Sequence, residues 1–127
     1  MQNLRWKDWL SQAERDLEWA KASLHSGFFA QTCFVCQQVG EKTLKALAYF
    51  RGADLVKSHS VKTIAKELGE NGEIEFMGQK LDLYYISTRY PDAFMEGAPF
   101  EYFEESQAKE AIEFAEKIID LVKVKLL

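Results

Sequence analysis

Apolar residues recur in this chain every three or four positions, and that period limits the folds open to it. Between Arg5 and Ser26 the positions Trp6, Trp9, Leu10, Ala13, Leu17, Ala20 and Leu24 fall on one helical stripe, and Gly27 follows as the residue that ends a helix in the left-handed conformation. A second helix is predicted from Phe29 to Arg51, stopping at Gly52, with Ala30, Cys33, Phe34, Leu44, Leu47 and Ala48 as its stripe. Gln37, Gly40 and Glu41 interrupt that stripe. A glycine inside a helix costs about 1 kcal/mol relative to alanine, so Gly40 predicts the close approach of another helix. Gln37, if buried, needs hydrogen-bond partners.

A short third helix is expected from Ser60 to Leu68, capped by Ser58 or Ser60 and ended by Gly69, before a turn at Glu70-Asn71-Gly72. The fourth is predicted over Ile74 to Thr88 with Met77, Leu81, Tyr84 and Tyr85 inward. The last runs from Glu104 to Lys125 on the stripe Ala108, Ala111, Ile112, Ala115, Ile118, Ile119 and Val122. Glu101, Glu104 and Glu105 suit its positive end, and Lys123 and Lys125 its negative end. There is no strand alternation and no internal repeat. The fold class that follows is all-α, an antiparallel up-and-down bundle of four long helices plus one short helix. Its 127 residues, 47% of them hydrophobic, suit a single domain spanning residues 1–127.

The stretch from Arg89 to Tyr102 breaks the pattern. It holds both prolines, Pro91 and Pro99, with Gly97 between them, so no regular helix should cross it. It also carries Tyr90, Phe94, Met95, Phe100 and Tyr102. So long and aromatic a loop must cover something: it caps the core, lines a site or packs against a second subunit.

Charge and composition exclude several classes of function. The net charge of −4 disfavours broad nucleic-acid binding, though it allows one local basic pocket. Every apolar run is short and interrupted by charge, so no membrane association is expected. The opening stretch Met1 to Trp6 has no apolar segment with a small-residue cleavage site, so no secretory signal is expected and the cytoplasm is the expected compartment. Cys33 and Cys36 form a C-x-x-C inside a helical pattern, which reads as two small buried apolar residues rather than a zinc or redox site. No Gly-rich phosphate loop, H-E-x-x-H or G-x-S-x-G occurs, and the Glu-x-x-His pairs of a di-iron bundle are missing. Neither a metal nor a cofactor is therefore expected.

Three groups of residues remain as candidates. His25 lies in the last turn of the first helix, where positive charge suits the dipole, and is assigned a structural role. His59 sits in the polar turn Lys57-Ser58-His59-Ser60 at the mouth of the bundle, where it either starts the third helix or serves a site. Gln37, Gln38, Glu41, Lys42 and Lys45 share the second helix, with Glu41 and Lys45 spaced as an ordinary surface pair. In Thr88-Arg89-Tyr90-Pro91-Asp92, Arg89 is placed at a helix end to offer its planar fork to a carboxylate or phosphate, or simply to pair with Asp92.

Taken in order, Trp6-x-x-Trp9, Gln37-Gln38-x-x-Glu41-Lys42-x-x-Lys45-Ala46, His59 and Arg89-Tyr90-Pro91-Asp92 resemble the HEPN domain family along essentially the whole chain. The resemblance implies a bundle of four to five helices that forms a homodimer or higher homo-oligomer. It also implies a link to nucleotides or RNA, and a partner of the minimal nucleotidyltransferase type, as in toxin–antitoxin pairs. Many relatives of this kind are metal-independent ribonucleases with an Arg-x(4–6)-His motif at a dimer interface. Here Arg89 is followed by Tyr90, Pro91, Asp92, Ala93, Phe94, Met95 and Glu96, with no histidine, and the chain resembles instead the branch with an Arg-Tyr-Pro-Asp loop.

Three functions follow as expectations. In the first, a binding module without catalysis holds a nucleotide or a partner's substrate through Arg89, Tyr90, Asp92, His59, Lys42, Lys45, Glu41, Gln37 and Gln38. In the second, a toxin-type ribonuclease uses Arg89 and His59. In the third, a structural subunit oligomerises through the loop and the Gly40 face.

Overall fold

The computed structural model describes residues 3–127; Met1 and Gln2, part of the opening stretch in which no secretory signal is expected, lie outside them. Among the described residues six α-helices follow one another: α1 (Trp6–His25), α2 (Phe29–Phe50), α3 (Val61–Glu67), α4 (Glu73–Asp82), α5 (Tyr84–Ser87) and α6 (Glu105–Lys125). Among the described residues there is no strand. The first turn is made where predicted, by Gly27 at φ 84°, and Gly52 and Gly69 end α2 and α3 in the same region at φ 99° and 77°.

Contacts between the helices fix their directions. Trp6 meets Phe50 edge-on and Ser23 shares a hydrogen bond with Thr32, so α1 and α2 are antiparallel. Lys21 pairs with Glu116 and Lys123 with Glu14, which sets α6 antiparallel to α1. Phe76 meets Phe114 and Glu73 pairs with Lys117, so α4 is antiparallel to α6. The result is up-down-up-down in the order α1, α2, α4, α6, with α3 laid back along α4. The core runs through Ala13, Ala20, Cys33, Val39, Leu44, Leu47, Leu81, Ala115, Ile118 and Val122, none of them with any exposed surface. No helix among the described residues is long and apolar enough to cross a membrane.

Gly40 marks a close helix approach, as its position predicted. A methyl group there would stand 3.2 Å from Val61 Cγ2 and 3.3 Å from Leu81 Cδ1. Gly78 on α4 is tighter still, with Val61 Cγ1 at 2.8 Å and the Lys62 amide nitrogen at 3.0 Å from such a methyl. The two glycines form the notch into which Val61 carries the start of α3.

The predicted fourth long helix, Ile74 to Thr88, is shorter than expected. It ends at Asp82, and a single turn, α5, follows after Leu83. The backbone at Leu83 stays right-handed (φ −59°, ψ −22°), but its N–H bonds to the Lys80 carbonyl three residues back, so the helix tightens rather than reverses. Ser87 and Thr88 then turn their hydroxyls onto the carbonyls of Leu83 and Tyr84, a side-chain competition that favours helix ends. The periodicity of apolar residues passes through such a tightening unchanged, which is why it is invisible in the sequence.

The loop beyond is not shapeless. Each proline opens a turn of 3-10 helix, Pro91–Ala93 and Pro99–Glu101. Phe94 stacks on Tyr102 at 4.1 Å between ring centres and meets Phe103 edge-on, and Phe103 meets Tyr84. One side of the loop thus closes the end of the core. Met95, Phe100 and Tyr102 remain exposed.

Candidate functional site

Glu41 and Lys45 have the spacing of a surface pair, but the structure buries them: 4% and 5% of their surfaces are exposed. The middle of α2 is enclosed by α1 on one side and by the α3–α4 hairpin on the other, so its polar residues lie inside. Lys45 Nζ donates to Glu41 Oε2 at 2.8 Å and stands 5.3 Å from the centre of the Trp9 ring. The same Glu41 oxygen lies 3.3 Å from His59 Nδ1. An ionised carboxylate can only accept, so Nδ1 carries the hydrogen in this contact. Glu41 Oε1 is buried with no hydrogen-bond partner. One carboxylate oxygen therefore serves a buried ammonium and an imidazole that is largely open to solvent.

His59 is stacked nearly parallel to Tyr85 at 5.7 Å between ring centres. Arg89 approaches the same tyrosine from α5's end, with its guanidinium carbon 4.9 Å from the Tyr85 ring, 4.2 Å from Phe34 and 5.0 Å from Tyr90. Its Nε and Nη2 donate to the Tyr85 carbonyl at the end of the helix. Asp92 is exposed in the first 3-10 turn and, among the described residues, no carboxylate lies within ion-pair distance of Arg89. The alternative in which Arg89 merely neutralises Asp92 is thus not what the structure adopts.

The remaining candidates divide. Gln37 is fully buried; its amide donates to the His59 carbonyl at 2.8 Å and to Asp82 Oδ1 at 3.1 Å, and its own oxygen accepts from Gln38 Nε2 at 2.8 Å. Lys42 points to α1 instead: its Nζ donates to Asp16 Oδ2, and Asp16 Oδ1 accepts from Gln12. The structure gathers Gln37, Gln38, Glu41, Lys45, His59, Arg89 and Tyr90 along one face and leaves Lys42 on another.

Sequence reasoning missed three members of this face. Phe34 and Tyr85 fall on stripes expected to face the core, yet each is half-buried and offers a ring to Arg89. Asp82 belongs to none of the candidate groups. Its Oδ1 accepts from Val61 N at 2.8 Å and Gln37, and its Oδ2 from Ser60 Oγ at 2.7 Å and Lys62 N at 3.0 Å. There was a signal for it: an acidic residue at the negative end of a helix is unfavourable unless an outside donor holds it.

The C-x-x-C is buried within α2, as its helical flanks predicted. Cys33 and Cys36 are free and have no exposed surface. Burial, aided by the charge of Glu110, pushes the Cys33 thiol from 9.0 up to about 12, and burial pushes Cys36 upward as well. His25 is exposed in the last turn of α1.

The HEPN domain family matches residues 6–125. A candidate toxin of Methanocaldococcus jannaschii is 24% identical over 130 residues, covering 92% of this chain and 85% of that protein. Among solved structures, a Thermus thermophilus protein is 36% identical with a TM-score of 0.90 over 97% of this chain and 98% of its own. An archaeal HEPN homologue is 37% identical with a TM-score of 0.85 over the same shares, 97% and 98%. A HEPN domain protein of Thermotoga maritima is 30% identical with a TM-score of 0.73 over 94% and 97%. The chain belongs to the HEPN domain family.

Proposed function

We propose that this HEPN chain is a binding module that holds a nucleotide or a short RNA by its phosphate at Arg89, as the non-catalytic companion of a nucleotidyltransferase. The observation that carries the reading is Arg89 itself. It is an exposed cation without a carboxylate partner, set among Phe34, Tyr85 and Tyr90 in a protein of net charge −4. A guanidinium fork suits a phosphate, and the exposed Tyr90 ring offers a face on which a base can stack. The exposed Met95, Phe100 and Tyr102 of the loop that follows suit a second copy or the partner enzyme, and a cytoplasmic dimer fits this reading. Titration with ATP and a short RNA, in parallel with Arg89→Ala, tests it. Affinity unchanged in the variant would sink the assigned site.

A second reading is favoured by the contact between Glu41 and His59. A carboxylate that orients an imidazole, with an arginine against the same Tyr85 ring, offers a base and a cation for metal-independent RNA cleavage. His59 would take the proton of a ribose 2′-hydroxyl as its oxygen attacks the neighbouring phosphorus. The 5′-oxygen leaves with a proton from solvent, and a cyclic phosphate remains. A relative described as a candidate toxin is in keeping with this. It requires RNA cleavage in chelator that His59→Ala abolishes; intact RNA after long incubation at high protein concentration rules it out.

A further inference from the structure

His59 belongs to a short turn between α2 and α3, and an exposed imidazole on a loop has no reason of its own to stay in one orientation. What restrains it is polar and lies behind it. Gln37 donates to the His59 carbonyl, and Ser60 Oγ, Val61 N and Lys62 N, one donor from each of the next three residues, all converge on the carboxylate of Asp82. Gln37 joins the two halves by donating to Asp82 as well. Asp82 thus meets four donors with two oxygens, two to each, which is close to the full capacity of a carboxylate. On the apolar side, Val61 is seated against Gly40 and Gly78. The turn is therefore held from behind by the Gln37–Asp82 polar network on one side and by the glycine notch on the other.

We propose that Asp82 is the positioning residue of the Arg89 site, holding the turn so that His59 stays on Glu41 and against the Tyr85 ring. The proposal rests in part on the binding function assigned above, because it gives that site its second nitrogen group. Asparagine is nearly isosteric with aspartate but replaces one oxygen by an amide NH2. One rotamer turns a donor toward the Gln37 amide and Val61 N, the other toward Lys62 N and the Ser60 hydroxyl, which can accept instead; in either case a backbone N–H of the turn loses its acceptor. The turn would have to move, and His59 with it. A role confined to stability would lower the unfolding midpoint without altering the chemical state of His59 in the folded protein.

The test is nitrogen-detected NMR of the histidine rings in the whole chain, for wild type, Asp82→Asn, Asp82→Glu and Ser60→Ala. The wild type is expected to show His59 in the Nδ1–H form, with ring protons shifted by Tyr85. Asp82→Asn should return His59 to the mixed tautomers of a free histidine and remove the ring shift, and Asp82→Glu should restore part of both. A folded Asp82→Asn whose His59 signals match wild type overturns the proposal. Should that variant fail to fold, Ser60→Ala decides: the same change to a smaller extent supports it, and unchanged His59 signals overturn it. With AMP as the probe, affinity should fall about tenfold in Asp82→Asn, the loss of one charge-assisted contact; equal affinity in the two proteins counts against it. If neither AMP nor a short RNA binds the wild type, the binding function falls, while the tautomer comparison still decides the role of Asp82.

Discussion

Lys45 and His59 reach the same oxygen of Glu41, at 2.8 Å and 3.3 Å, one from inside the bundle and the other from its surface. That shared atom ties the stability of the core to the face where Arg89 is displayed. A buried ion pair adds little net stability, because desolvating both charges consumes most of their attraction. Its value here is orientation of the imidazole.

Removing one member of the pair should be costly. Glu41→Ala leaves the ammonium of Lys45 buried without a counter-charge, and a loss of about 3–5 kcal/mol is expected in urea unfolding. Replacing both residues with apolar ones, Glu41→Leu with Lys45→Met, should recover most of that loss. If Glu41→Ala unfolds at the wild-type midpoint, the pair is not buried in solution.

The two notch glycines should respond differently from a turn glycine. A methyl at Gly78 meets Val61 and the Lys62 backbone below ordinary contact distance, and backbone cannot move aside as a flexible side chain can. Gly78→Ala is expected to destabilise by about 1–3 kcal/mol despite the better helix propensity of alanine. Gly72→Ala, at the N-cap of α4 where a methyl meets nothing within 4 Å, should cost less, about 0.5–1 kcal/mol from the poorer capping of alanine. Thermal unfolding of the two variants compares them directly.

Alkali should weaken the fold through the buried thiols and one tyrosine. Burial raises Cys33 from 9.0 to about 12 and Tyr84 from 10.0 to about 12. In the unfolded chain these groups ionise first, so unfolding releases protons and stability falls with rising pH. Their contribution is intact below about pH 9 and is lost as the pH climbs toward about 12. Chemical denaturation in steps of about one pH unit from about pH 8 to about pH 11 should show that slope, reduced in a Cys33→Ala, Cys36→Ala variant. Near neutral pH neither cysteine should react with a thiol reagent until denaturant is added.

Most of the fold was legible because helices bury one face and leave a period behind. The stripes of α1, α2 and α6, the left-handed glycines at the three helix ends and the cap by Ser60 followed from local rules. The close approach at Gly40 was legible too, since an interior glycine needs a reason. The end of α4 at Asp82 was not, because a tightened turn keeps the same apolar spacing. In the site, Arg89 and His59 stood out as polar residues at turns. Glu41 was placed on the inward stripe of its helix, but the burial of Lys45 with it was not legible, since the spacing of an ion pair is the same on a surface and inside a core. Phe34 and Tyr85 were hidden by belonging to the inward stripes while exposing one edge, and Asp82 required knowing which backbone donors would come to meet it.

The most direct measurement is calorimetric titration of the protein with ATP and with a short single-stranded RNA, beside Arg89→Ala. The account predicts saturable binding of at least one of them to the wild type, weakened about tenfold or more in the variant, as befits the loss of a charged hydrogen-bonding fork. Equal binding by both proteins, or no binding at millimolar ligand, would contradict it.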